Sequence, residues 1–298
     1  FNWQTPILIS PHNQDIIYFG SNKLHRSFNK GDDWEEISKD LTSGGKKGNV
    51  PYGTITSFDE SNFQFGKLIV GSDDGIVSIS NDSGKTWKSV SDNLPPDLWV
   101  SRVIFSKHEK NTIYLSLNGY RYNDFKPYIY VSNDNGDSWE NISSNLPLSP
   151  VNFVREDINR KEILYVGTDN GLFISFNSGK KWHPFESSLN RVAVHDLVIQ
   201  KEKNDLLVGT HGRSIYKTNL DLFNDFINEK NEEKPLIIFE INDLRHSNSW
   251  GKRSNYSDDV FKSSVKTIVY SDKSIIYDYT ITDNFNNCLL YTSDAADD

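Results

Sequence analysis

Short apolar runs broken by glycine-containing turns recur along the first two thirds of the chain. Ile16–Gly20, Lys67–Gly71, Thr112–Leu117, Ile163–Gly167 and Asp205–Gly209 are built largely from Ile, Leu, Val, Tyr and Phe and lead into turns. Each follows another apolar stretch, as at Thr54–Phe58, Ser101–Ser106, Val151–Glu156 and Val194–Ile199. Runs of this length and composition, bounded by Gly, Asn, Asp and Ser, predict strands joined by hairpins.

The pattern repeats as a unit. Ser27–Trp34, Ser80–Trp87, Ser132–Trp139 and Ser175–Trp182 share Ser-x-Asp/Asn-x-Gly-x-x-Trp. Their starts lie about 53, 52 and 43 residues apart, the range expected of four-stranded propeller blades. Chemically the motif is a turn: Asn29, Asp82, Asp134 and Asn177 accept from nearby backbone N–H groups, and Gly31, Gly84, Gly136 and Gly179 supply a positive φ. Trp34, Trp87, Trp139 and Trp182 then open the next strand, each expected to pack on its own blade and offer its N–H to the turn. A catalytic or calcium-binding role for these acids is the competing reading, and recurrence in every blade favours structure.

The expectation is an all-β chain: a partial β-propeller of four-stranded Asp-box blades over residues 1–218, with four nearly complete blades. A fifth, partial unit runs from Val192 to about Thr218 and lacks a box and a fourth strand. Asn219–Glu233 and Lys234, charged and rich in Asn, read as a linker ending before Pro235. Residues 235–287 then alternate as the start of a β-sandwich-like domain. The stretch Cys288–Asp298 departs from the Asn/Lys/Ile-rich composition before it and resembles a translated sequencing adapter; it is expected to be non-native.

Composition narrows the function classes. Three alanines among 298 residues argue against a helical architecture, and 13% aromatic content suits strands. A net charge of −9 offers no attractive field to nucleic acid. Apolar runs stay well short of the roughly 18 residues of a membrane span. The single cysteine supports neither a disulfide framework nor a thiol site, and the seven histidines show no metal-ligand spacing, so no metal and no cofactor is expected. Ser83–Thr86 resembles part of a phosphate loop, but Ile79 stands where the leading glycine belongs.

The boxes, together with Trp99–Trp139, Val151–Ser175 and His195–Tyr216, resemble the sortilin-like, BNR/Asp-box propellers of large bacterial proteins often labelled glycosyl hydrolases. The likeness covers roughly residues 1–220. It implies a periplasmic or secreted protein with more blades than this stretch contains, joined to upstream and downstream domains of the same chain. It transfers no catalytic residue. The Arg-Ile-Pro signature of sialidases is missing, and Arg26, Arg102, Arg121, Arg155, Arg191 and Arg213 form no recognisable triad along the sequence.

Strand direction alternates within a blade, so turns between second and third strands lie opposite the boxes. One mouth is therefore expected to collect Asp73, Asp74, Tyr120, Arg121, Tyr122, Asp124, Asp169, Asn170, His211 and Arg213. Gly71–Gly75 and Gly167–Gly171 equally suit plain hairpin turns, and Arg213 equally suits an ion pair pinning the last blade. The longer aromatic insertion Tyr120–Tyr122 with Asp124 is the better binding candidate, suited to a sugar or a peptide. His195 beside Asp196 reads as a strand residue next to a solvated acid. Asp73 or Asp74 with Asp169 are the carboxylate pairings a glycosidase would need. The leading expectation is a non-catalytic binding or scaffolding propeller for a peptide, protein or glycan; the alternative is a glycoside hydrolase.

Overall fold

The computed structural model describes residues 4–44, 53–185, 191–221 and 223, and the strand residues 236–238, 269–271, 280–282 and 288–291. The chain divides into two compact units, Phe1–Thr218 and Asn219–Asp298.

The first unit is a series of antiparallel meanders. Blade 1 holds β1 (Ile7–Ile9), β2 (Ile17–Gly20), β3 (Leu24–Ser27) and β4 (Glu35–Glu36); blade 2 holds β5 (Ile55–Glu60), β6 (Leu68–Ser72), β7 (Val77–Ser80) and β8 (Lys88–Ser89). Blade 3 is β9 (Trp99–Phe105), β10 (Ile113–Gly119), β11 (Asp124–Ser132) and β12 (Glu140–Asn141); blade 4 is β13 (Val151–Glu156), β14 (Leu164–Thr168), β15 (Gly171–Ser175) and β16 (His183–Pro184). Each forms one four-stranded sheet in chain order, while β17 (Val194–Gln200), β18 (Asp205–Thr210) and β19 (Ile215–Asn219) form a three-stranded fifth. The fifth blade has no outer strand among the described residues, as expected of a unit without a box.

The core lies between blades. Ile69, Val77 and Ile79 of blade 2 pack with Val103, Leu115 and Leu117 of blade 3, and Ile104, Ile129 and Val131 pack with Val154, Leu164 and Val166 of blade 4. Burying one face of each sheet against the next is what makes the meanders stack.

The box turns follow the chemistry expected of them. In blade 3, Ser132 Oγ accepts from Gly136 N at 2.7 Å and donates to Asp134 Oδ1 at 2.8 Å, while Asp134 Oδ1 also accepts from Ser138 N at 2.9 Å. Hydrogen bonds from the Thr86 and Ser138 hydroxyls and amides hold the Asp82 and Asp134 carboxyls down at about 2. Gly136 sits at φ 89, and Asn135 before it is left-handed too, at φ 61.

The tryptophans depart from expectation. Trp87 Nε1 does reach its own turn, at Gly84 O, but it also donates to Ile37 O of blade 1 at 3.1 Å. Trp139 and Trp182 donate to Val90 and Ile142 of the preceding blades. The rings are inter-blade staples, because the box brings the Trp to the sheet face that meets the neighbour.

In the second unit, β20 (Leu236–Ile238) pairs with β21 (Val269–Ser271), and β22 (Thr280–Thr282) with β23 (Cys288–Tyr291). Strand β23 falls within the stretch read as adapter-derived; the rest of that stretch and most of the expected linker lie outside the described residues.

Candidate functional site

A cavity of about 750 Å³ opens at the mouth opposite the boxes. Blade 3 supplies the largest share of its wall, through Trp99 and Arg102 of β9, Asn118 of β10, and Tyr120 and Arg121 of the following 3-10 turn; Asn152, Asp169, His195 and His211 line it from blades 4 and 5, and Thr56 and the segment before β1 complete it.

The insertion after β10 is shaped by its own bonds. Tyr120 N donates to Asn118 Oδ1 at 2.9 Å, and Asn123 ends the 3-10 turn in the left-handed region at φ 57. Arg121 is thereby laid over Trp99, its guanidinium carbon 4.0 Å from the ring centroid, which makes a flat cationic platform. Tyr120 stands beside it, 60% exposed.

A row of amides spans the blades beneath. Asn118 Nδ2 donates to Val151 O and Asn152 Oδ1, and Asn152 Nδ2 donates to Asp169 Oδ1 at 2.9 Å and to Val194 O. The rings of His195 and His211 lie 5.2 Å apart, and burial together with the neighbouring His211 lowers the pKa of His195.

Of the residues singled out in the sequence, Tyr120, Arg121, Asp169 and His211 line this cavity; Tyr122, Asp124 and Arg213 do not. Asp124 is engaged by Tyr128 Oη, which donates to it at 2.7 Å, and that bond lowers the Asp124 pKa. Arg213 is exposed.

Asp73 and Asp74 correct the expectation of an open acidic mouth. Both are buried. Asp73 accepts from Gly53 N, Thr54 N and Thr54 Oγ1, and Asp74 accepts from Ser43 N, Ser43 Oγ and Ser72 Oγ. These carboxylates brace the wall from inside, because unpaired backbone donors nearby need acceptors.

Trp99, Arg102, Asn118, Asn152 and His195 were missed by sequence reading, since all sit in or at the ends of strands whose facing the sequence leaves open. Asp196 is partly solvated, its side chain 47% exposed, but it is also held by two arginines. Arg102 Nη2 lies 3.3 Å and Arg155 Nη2 3.0 Å from its Oδ1. Burial alone would raise its pKa, but the two guanidiniums and the Leu197 amide outweigh burial and hold it below the ordinary value.

A larger groove of about 990 Å³ lies between the outer parts of blades 1 and 2, walled by Lys39, Asp40, Lys85 and Trp87. It contains none of the mouth residues.

The sequence model of the family described as "Sortilin, neurotensin receptor 3" (Sortilin-Vps10) matches residues 127–295, more than half of the chain. The chain belongs to the Sortilin-Vps10 family. The match runs through the last blades and on into the second unit. Within this family setting, the chain is similar to the vacuolar protein sorting/targeting protein PEP1 of Saccharomyces cerevisiae, 32% identical over 98 residues, which are 33% of this chain and 5% of that protein. The chain thus spans a small part of the curated relatives it matches. Among solved structures it resembles the GH74 xyloglucanase from Xanthomonas campestris, with a TM-score of 0.55 and 14% identity over 72% of this chain and 36% of that one. It also resembles YCF48 bound to D1 peptide, with a TM-score of 0.51 and 12% identity over 70% of this chain and 62% of that one. At these identities the likeness carries the β-propeller fold and nothing further.

Proposed function

We infer that residues 1–218 act as a peptide-binding propeller module, with the ligand seated at the mouth on the Trp99–Arg121 platform. The observation that carries this reading is the cavity's composition: an aromatic and cationic wall with Asp169 as its one lining carboxylate among the described residues, already engaged by Asn152. Tyr120 belongs to this surface, and in this reading exposed Tyr122 and Arg213, with Asp124 fixing Tyr128, extend it. The sorting role in the name of the yeast relative supports a peptide over a glycan. In this reading the module works outside the cytoplasm, periplasmic or secreted, within a longer chain whose sandwich-like segment begins near residue 235. No helix of the described residues is long and apolar enough to cross a membrane.

The glycoside hydrolase reading needs two carboxylates facing one gap. Among the described residues Asp169 is the one carboxylate of the lining, and Asp73 and Asp74 are buried.

The test is retention of peptides and glycans by the full chain on matched arrays, repeated with Trp99→Ala and Arg121→Ala. The expected result is peptide capture, weakened about tenfold or more by either variant. Capture of glycans alone, or peptide capture indifferent to both substitutions, overturns the reading.

A further inference from the structure

The innermost strands of blades 2 to 5 each carry one residue too many for the strand beside them. Ile55 and Ser57 pair with Ser72 and Gly71, Val151 and Phe153 with Thr168 and Gly167, and Val194 and Asp196 with Thr210 and Gly209. In blade 3, Val100 and Arg102 pair with Leu117 and Ser116. The skipped residues are Thr56, Ser101, Asn152 and His195, and all four line the mouth cavity. A bulge re-aims the side chain it adds, so each blade turns one polar group into the mouth.

Three of the four are spent on the fold. Thr56 Oγ1 donates to Val100 O of blade 3 at 2.6 Å, Ser101 Oγ meets Ser116 Oγ at 2.9 Å, and Asn152 Nδ2 donates to Asp169 and to Val194 O of blade 5. His195 is not. Among the described residues its ring has no hydrogen-bond partner and faces His211 instead, with centroids 5.2 Å apart and planes tilted by 37°.

His211 is a second departure from the repeat. It follows Gly209 and Thr210, where blade 2 has Asp73 after Gly71 and Ser72 and blade 4 has Asp169 after Gly167 and Thr168. The backbone bond is the same in all three, from Asp73 N to Thr54 O, Asp169 N to Pro150 O and His211 N to Ala193 O. Blade 5 keeps the hairpin and presents an imidazole at both polar positions. The pair joins positions 195 and 211 across the β17–β18 hairpin, which sequence spacing does not reveal.

Other histidine rings are committed: His12, His25 and His108 each have a ring nitrogen in a hydrogen bond of 2.8 or 2.9 Å. His195 and His211 are both exposed and share one cavity. Their spacing suits a metal. An imidazole bound to Zn2+ holds its centroid roughly 3.2 Å from the ion, since Zn–N is about 2.0–2.1 Å and the ring adds just over an ångström. Two such rings 5.2 Å apart, each with a nitrogen turned inward, subtend about 109° at the ion, the tetrahedral angle. Asp169 lines the same wall, and its negative charge acts on His195. Of the two lining arginines, Arg102 is met by Asp196 at 3.3 Å and Arg121 is held over the Trp99 ring.

We propose that His195 and His211 form a binding site for a borderline divalent transition metal such as Zn2+, with Asp169 lending charge and water filling the remaining positions. Among the described residues no three His, Cys, Asp or Glu form a ready-made centre, so the site is a two-ligand chelate open to the mouth. It does not depend on the peptide reading.

The experiment is calorimetric titration of the full chain with zinc chloride in the absence of peptide, with calcium and magnesium chloride in parallel. The variants are His195→Gln, His211→Gln and, as a control on β16, His183→Gln, each checked for fold by circular dichroism. The expected result is one Zn2+ per chain. Each mouth variant should weaken binding at least about tenfold, the lower end of what disturbing a ligand's surroundings costs, and His183→Gln should leave it unchanged. Ca2+ and Mg2+, which take oxygen ligands, should not compete. Electron paramagnetic resonance of bound Cu2+ is the second readout, with coupling to two imidazole nitrogens in the wild type and to one in either mouth variant.

Equal Zn2+ binding by the wild type and both folded mouth variants overturns the proposal. So does a wild type that binds no Zn2+ and shows no nitrogen coupling to Cu2+, or one from which equimolar Ca2+ displaces Zn2+. If one variant fails to fold, the other and the copper spectrum decide. With no peptide present, failure here leaves the peptide reading untouched, and loss of peptide capture on the arrays leaves the metal site untouched.

Discussion

The indole of Trp182 donates its Nε1–H to the carbonyl of Ile142, 2.7 Å away on the preceding blade. Trp139 and Trp87 make the same bond to Val90 and Ile37, at 2.8 and 3.1 Å. Every acceptor is the third residue after the box tryptophan of the blade before. A motif that closes one blade therefore also locks it to its neighbour.

The staples should be worth measuring one at a time. Trp182 is 2% exposed, so Trp182→Ala should cost about 3–5 kcal/mol. Trp139→Phe keeps most of the ring and strands Val90 O, for a loss of about 1–2 kcal/mol. Trp34, 43% exposed and set edge-on to Phe19, should tolerate Phe within about 0.5 kcal/mol. Denaturant titration ranks the three; equal losses at Trp34 and Trp139 would reject the inter-blade role.

Gly136 and Gly44 separate backbone strain from crowding. Both have positive φ, 89 and 90, but a Cβ on Gly136 would lie 2.9 Å from Val90 Cβ, whereas none of the described residues comes within 4 Å of one on Gly44. Gly44→Ala should cost about 1–2 kcal/mol for the left-handed backbone alone. Gly136→Ala should cost at least about 1 kcal/mol more, read as a further drop in the urea midpoint.

Asp73→Ala should destabilise by roughly 2–4 kcal/mol, because three donors on Gly53 and Thr54 lose their acceptor inside the fold. Asp169→Ala, at the open cavity, should cost under about 1 kcal/mol. Thermal unfolding of the pair checks this, and a larger loss at Asp169 would contradict the placement.

Asp59 ties stability to pH. Burial pushes its pKa from 3.8 up to about 6, against the pull of the Phe105 amide and the nearby Arg155. The folded state then holds the proton more tightly than the unfolded one. This group's contribution to stability is present below pH 3.8 and is lost as pH rises through about 6. Asp59→Asn should remove that slope and gain stability over the wild type at pH 7 relative to pH 4, by roughly 1–3 kcal/mol. The observable is the difference between the two proteins' unfolding free energies at each pH; a constant difference would show that Asp59 is not shifted.

Legibility varied with the reach of the interaction. Val151–Glu156 was predicted to the residue, and most other predicted strands differ from the structure by two residues or fewer at either end, because alternation and turn residues are local signals. Gly71–Gly75 and Gly167–Gly171 read alike as turns, yet Asp73 is sealed by Gly53 and Thr54 while Asp169 meets Asn152's amide at the cavity. Nothing near either turn in sequence distinguishes them. The longer insertion at Tyr120–Tyr122 was visible by its length, whereas Trp99, its partner under Arg121, was not.

The sequence by itself determined the blades and their turns. A Ser, an Asp or Asn and a Gly within five residues satisfy one another's hydrogen bonds and φ requirement, and the same spacing returns at blade intervals. The tertiary structure decided everything that depends on which face a strand presents to the next blade. It chose the carbonyl each tryptophan meets, buried Asp73 and Asp74, and gathered Arg102, Arg155 and Asp196 at one point. Most of those choices join residues some 20 to 90 positions apart, and only the packing of the sheets sets which of them come within a few ångströms.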